Sequence, residues 1–211
     1  MKYHPILFNG EMVRAILDGK KTQTRRVVRD MPAWVKSVNV DGRIAFLQGA
    51  NGMNFRTCPY GQPEDRLWVR ETFQMKIPDG GPGFYWWHEI PNNFVWCSGD
   101  VERIYRSEHT GAQTIVPNWI PSIYMPRWAS RITLEVLAVR VERLQDITPG
   151  EAIDEGIENV KLAWADMGST FGLGPQKFVS AFSHFWDSIN AQRGYSWDSN
   201  PWVWVVEFQP V

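Results

Sequence analysis

The sequence predicts an α+β fold, a curved mixed sheet or small barrel with three flanking helices. Three observations carry this. Apolar and polar residues alternate along Arg66–Glu71 and Arg131–Val141, the period-2 signature of strands, and Trp202–Phe208 is rich in the β-branched and aromatic residues that strands favour. Phe178, Phe182, Phe185, Trp186 and Ile189 recur instead at helical spacing. Two shorter segments open on capping residues and stop at glycines, as short helices do. A chain of 211 residues with 44% hydrophobic and 21% charged residues is that of a globular domain. We read it as one domain over residues 1–211, with an irregular insertion at about 76–126.

Ile6-Leu7-Phe8 reads as a short strand. Asn9 then caps a helix, with Glu11 in its first turn and Met12, Val13, Ile16 and Leu17 as its apolar face. Gly19 is the expected stop, with Lys20 and Lys21 where the helix dipole favours cations. Val35–Val40 and Arg43–Leu47 form an expected hairpin around Asp41-Gly42. Residues 49–61 read as loop. Within the insertion, Phe84–Trp87, Phe94–Cys97 and Val101–Tyr105 read as short strands among turn-forming glycines and prolines. Thr148-Pro149-Gly150-Glu151 is a capping box with proline at the first helical position, and Gly156 ends that helix. Gly168–Pro175 is a glycine-rich connection that matches no phosphate loop. Gly194 stops the third helix. Trp68, Trp128 and Trp202 are assigned to the core, as most of the twelve tryptophans should be.

Composition excludes several function classes. A formal net charge of -1 argues against a broad polyanion-binding surface and leaves room for a single basic groove. No apolar run reaches the ~18 residues that span a membrane, and the N-terminus lacks the apolar stretch of a signal peptide. The expectation is a cytoplasmic protein with no membrane partner, and with Cys58 and Cys97 as reduced thiols. The four histidines are scattered and neither cysteine belongs to a Cys-x-x-Cys pair, so no metal is expected. Walker and dinucleotide-binding loops are missing from the sequence, so no cofactor is expected either.

The chemistry concentrates in Gly19-Lys20-Lys21-Thr22-Gln23-Thr24-Arg25-Arg26, four cations and two hydroxyls in eight residues. Such a cluster suits a phosphate, or it lowers the pKa of one of its own lysines. A lysine with its ordinary pKa is a poor base at neutral pH, and bringing it near neutrality takes about 4 kcal/mol. One cation about 6 Å away, at an effective dielectric of about 20, supplies about 2.8 kcal/mol. Partial burial adds to it. The plainer reading of Lys21 is a solvated cation at a helix end, and of Thr24 an ordinary strand residue. In a regular strand, positions 21 and 24 face opposite sides, so a shared site requires a bend after Gly19. Glu151 has a capping role. Glu155 has none visible, and a negative charge at a helix C-terminus is disfavoured by ~0.3–1 kcal/mol, which suits a group that exchanges a proton. Arg25 and Arg26 are expected to bind phosphate or carboxylate. Trp86 and Trp87 are adjacent, so a strand turns one of them outward. Trp87 is taken as the stacking candidate.

The segment 15–26, the segment from Leu144 to Gly156 and the terminal strand Pro201–Phe208 resemble the ASCH family, a branch of the PUA-like β-barrel folds. Cys58-Pro59-Tyr60-Gly61 and Arg66–Thr72 resemble its longer, Trp-rich phage and prophage members. The resemblance implies a PUA-like mixed β-barrel that acts on RNA or a modified nucleoside. One small branch of the family hydrolyses the amide of N4-acetylcytidine with a lysine, a threonine and a glutamate. By motif these fall on Lys21, Thr24 and Glu155, with the family's arginine on Arg26. This chain is about twice the length of that branch, which leaves the substrate open. With Arg25, Lys20 and Trp87 as further binding candidates, four readings stand. The first is an amidohydrolase of N4-acylated cytidine, the second a non-catalytic RNA or modified-base binder, the third a metal-independent ribonuclease, the fourth a phage accessory protein that acts through a protein partner.

Overall fold

The computed structural model describes residues 1–31, 37–40, 44–49, 52–76, 102–105, 120–157 and 175–211. It is a mixed α+β structure. Five strands form the main sheet: β1 (Tyr3–Leu7), β2 (Gln23–Val27), β6 (Arg66–Arg70), β9 (Thr133–Arg143) and β10 (Trp202–Pro210). Their order is β1-β6-β9-β10-β2, with β1 parallel to β6 and the other pairs antiparallel. β1 and β2 are the edges, and among the described residues no ladder joins them into a barrel. A three-stranded meander is made by β3 (Ser37–Val40), β4 (Ile44–Gly49) and β5 (Gly52–Thr57). A third sheet pairs β7 (Phe73–Lys76) with β8 (Glu102–Tyr105).

The central strand β10 shows why sequence and sheet agree. It lies between β9 and β2, and Val203, Trp204, Val205, Val206 and Phe208 are all buried. A strand covered on both faces needs the continuous apolar run that this segment has. Its register with β9 shifts between Glu207 and Phe208, where Leu137 is left over and turns to solvent.

Helix α1 (Gly10–Leu17) starts where Asn9 Oδ1 accepts the Met12 N–H at 2.8 Å, a cap worth about 1 kcal/mol. It ends in two reverse hydrogen bonds, Gly19 N–H to Ile16 O and Lys20 N–H to Ala15 O, with Gly19 at φ +70. That is a Schellman turn, and it requires a residue tolerant of left-handed backbone. The buried stripe is Met12, Val13, Ala15 and Ile16. Leu17, expected in it, is 51% exposed. At about 100° per residue it falls about 40° beyond Val13, outside the face that meets the sheet.

Helix α2 (Pro149–Asp154) has the expected capping box: Thr148 N–H donates to Glu151 Oε2, and Glu151 N–H to Thr148 Oγ1. Helix α3 (Gln176–Asn190) packs Ala181, Phe182 and Trp186 into the core. A short 3-10 turn then runs to Gly194 at φ +84.

Two further expectations change. Residues 49–61 are not all loop, because β5 returns from the turn and sets Phe55 opposite Phe46. Trp128 is 42% exposed on the 3-10 turn Arg127–Ala129, while Trp186 and Trp204 supply the buried indoles of the main core. The hairpin turn at Asp41-Gly42, the expected strands at 84–87 and 94–97 and the glycine-rich connection at 168–174 lie outside the described residues. No described helix is long and apolar enough to cross a membrane.

Candidate functional site

Two helix ends meet at Lys21. Gly19 closes α1, and Gly156, at φ +81, closes α2. A β-carbon on Gly156 would stand 3.0 Å from Ala15 Cβ and 3.1 Å from Lys21 Cβ, so the position needs both left-handed backbone and no side chain. The two chains lock there: Lys21 and Glu155 form an isolated antiparallel bridge, and Thr22 N–H donates to Asp154 O at 2.9 Å. The chain turns at Gly19 and Lys21 lies just before the regular strand β2, but all three Lys21 ammonium bonds go to Gln23 and Glu155 and none to Thr24.

Lys21 is 2% exposed. Its ammonium donates to Gln23 O (2.8 Å), Glu155 O (2.7 Å) and Glu155 Oε2 (2.8 Å). All three N–H bonds are therefore used. Burial pulls the Lys21 pKa below the ordinary lysine value. The charge and hydrogen bond of Glu155 push it back up, and Arg26 and Arg25 lower it further. Removal from water, and not the neighbouring cations, is the largest cause of the shift.

Strand alternation divides the rest of the basic segment. Arg25 pairs with Val205, which pairs with Arg140, so these three share one face with Gln23 and Glu142. The Arg25 side chain is fully buried. It bonds Gln23 Oε1 and Glu142 Oε1, each at 2.6 Å, and reaches Glu151 and Glu155 at 3.3 Å. Its guanidinium carbon lies 5.9 Å from the Phe182 ring centre. Arg140 extends the network to Glu142, Glu151 and Glu207. Arg25 is thus held as an internal counter-ion and not presented to a ligand.

Thr24 and Arg26 point to the other face. Thr24 is buried, and among the described residues its hydroxyl makes no hydrogen bond to Lys21. Arg26 Nη2 donates to Leu7 O at 2.5 Å, crossing from edge strand β2 to edge strand β1. Its guanidinium lies 5.2 Å from the Phe8 ring centre and 6.0 Å from that of Tyr60. It makes no ion pair among the described residues. Lys21 Nζ also approaches Phe8, at 5.6 Å. Lys20 is exposed on the surface. Trp87 lies outside the described residues.

The structure therefore unites Lys21, Glu155 and Arg25, sets Thr24 and Arg26 on the opposite face, and leaves Lys20 outside. Glu155 has a structural task that the sequence did not reveal, as shared counter-ion of two buried cations. Glu142, Arg140 and Glu207 were also missed. Their signal was a pair of opposite charges two residues apart, Arg140 and Glu142, on one face of an apolar strand. Asp154, next to the site, has its pKa raised by partial burial and then by Glu151, Glu207 and Glu155, with Arg25 opposing.

No family model, curated protein or solved structure matches the chain. In chemical terms the site is a buried, hydrogen-bonded lysine–carboxylate pair at the free edge of a sheet. A threonine hydroxyl and an arginine with no ion pair among the described residues lie on the other face of β2.

Proposed function

We propose that this protein binds a nucleobase and hydrolyses an amide on it, with an N4-acylated cytidine as the preferred substrate. The observation that carries the reading is the buried Lys21 ammonium, 2.8 Å from the buried Glu155 carboxylate, with its pKa drawn down by loss of water. A proton passing from Lys21 to Glu155 leaves a neutral amine and a carboxylic acid, the base and acid that amide cleavage needs. In the substrate complex Lys21 Nζ would leave Gln23 O and turn to Thr24, take the hydroxyl proton, and let Thr24 Oγ1 bond to the acyl carbon. Glu155 gives its proton to N4 as the C–N bond breaks. Water cleaves the resulting ester by the same route and releases the carboxylic acid. Arg26, on the Thr24 face and without a carboxylate partner among the described residues, would hold the base or the developing oxyanion.

We read the fold as PUA-like. What supports this is the open five-stranded sheet whose two edges are tied by the Arg26–Leu7 hydrogen bond.

A second reading has its own support. Lys21 spends all three of its hydrogens on protein acceptors, and none reaches Thr24. That arrangement suits a non-catalytic reader of RNA or a modified base, with the ion pair as scaffold. Incubation with N4-acetylcytidine and with short metal-free RNAs separates these. Acetate release that disappears in Thr24→Ala supports hydrolysis through Thr24. Nucleic-acid binding that weakens with salt, without turnover, supports the reader. RNA cleavage would move the assignment to a ribonuclease.

A further inference from the structure

One face of β1 and β6 turns away from the main core. Leu67 and Val69 enter that core, so Arg66, Trp68 and Arg70 share the opposite face. Tyr3, Pro5 and Leu7 lie beside them in parallel register.

Three arginines gather there without ion pairs. The Arg70 guanidinium lies 4.6 Å from the Trp68 ring centre, and Arg127, from the 3-10 turn, lies 3.5 Å from that of Tyr3. Arg66 stands beside Tyr3 and two residues from Trp68. None of the three has a carboxylate partner among the described residues, and Arg70 Nε has no acceptor among them. Glu135 is opposite Arg66, but its Oε2 accepts from Gln209 Nε2 at 3.1 Å. Glu71, next to Arg70, is buried and bonds Arg131. Arg127 is exposed and Arg66 and Arg70 are half-buried, so each retains solvent contact.

We infer that this face is a docking surface for the phosphate chain of single-stranded nucleic acid. An arginine laid flat on a ring has a fixed plane and keeps its N–H edge for two phosphate oxygens. Arg66 and Arg70 are about 13 Å apart at ~3.3 Å per residue, which suits a ligand with several negative charges in a line. The outer side of the exposed Arg127 plane suits an unpaired base, which a duplex does not offer. The sheet edge argues against an acidic peptide added as a strand. Arg66 N–H donates to Lys2 O and Phe8 N–H to Arg70 O, so Tyr3, Pro5 and Leu7 turn their backbone to the free edge. Pro5 has no N–H there, and Leu7 O is already taken by Arg26. The inference does not rest on the reaction proposed at Lys21.

The test is fluorescence anisotropy of a labelled oligouridylate with the 211-residue protein over a range of salt. Three neutralised phosphates should give a slope of log affinity against log salt of about -2. Arg66→Gln, Arg70→Gln and Arg127→Gln should each weaken binding and reduce that slope by ~0.7, while Arg70→Lys should keep it. Arg29→Gln, an exposed arginine elsewhere, should change nothing. Arg127 is exposed, so its variant keeps the test readable if the strand variants misfold. Absence of binding at about 50 mM salt would overturn the inference. So would binding unchanged in Arg127→Gln and the folded strand variants, or polyglutamate competing as well as unlabelled oligouridylate. Strand binding is read without turnover, so it stands or falls separately from acetate release.

Discussion

Lys21 and Arg26 stand five residues apart and lie against the same ring, that of Phe8. Lys21 is enclosed by a carboxylate and two carbonyl oxygens. Arg26 meets one carbonyl and two aromatic rings, with no carboxylate bonded to it among the described residues. The difference comes from the Lys21–Glu155 bridge, which brings a carboxylate to Lys21, while alternation along β2 sends Arg25 and Arg26 to opposite faces. One face of β2 looks towards the glutamates of β9 and α2, the other towards β1 and Phe8. A cluster of cations in sequence becomes two environments in space. One holds charge against a carboxylate, and the other holds it against a carbonyl and two aromatic rings.

The largest expected effect lies on the paired side. Lys21→Met or Glu155→Gln alone should cost about 3–5 kcal/mol, because each leaves a buried charge short of its partner. The double variant should cost less than the two singles added, in a double-mutant cycle by urea unfolding. Additive losses would mean that the pair is not a unit. Gly156→Ala comes next, at about 2 kcal/mol, since alanine must enter left-handed backbone and press on Ala15 and Lys21. Equilibrium unfolding reads it directly.

On the open side, Arg26→Gln should change stability by about 1 kcal/mol or less and weaken nucleoside binding about tenfold, read by calorimetry. If binding is unchanged while stability collapses, Arg26 is only a strap between the sheet edges. The smallest effect is expected at Asp154. Its folded pKa is raised, so the folded state holds the proton more tightly than the unfolded one. Stability from this group is therefore present at low pH and lost as pH rises through the folded value. Asp154→Asn should raise the melting temperature slightly at neutral pH, and by less as pH falls towards the ordinary aspartate range.

Local chemistry was legible in the sequence wherever it acts over a few residues. Asn9 and Gly19 mark both ends of α1, Thr148 and Glu151 form their capping box, and the β-branched and aromatic residues of β10 announce a strand. The partners of Arg25 were not legible, because they come from β9 and α2 and arrive only through strand pairing. Glu155 was legible as a residue without a local task, and its actual task lies 134 positions from Lys21. Trp128 was misplaced because indole favours burial on average, while its short turn carries it outward.

Acetate release from N4-acetylcytidine across a pH series, compared between the wild type and a folded Lys21→Met variant, tests the central claim most directly. Burial lowers the Lys21 pKa, so its neutral form appears at lower pH than for an exposed lysine. The wild-type rate should rise along a limb whose midpoint lies below the ordinary lysine value, and Lys21→Met should lose that limb and at least a hundredfold of the rate. A Lys21→Met protein that releases acetate at the wild-type rate would contradict the account.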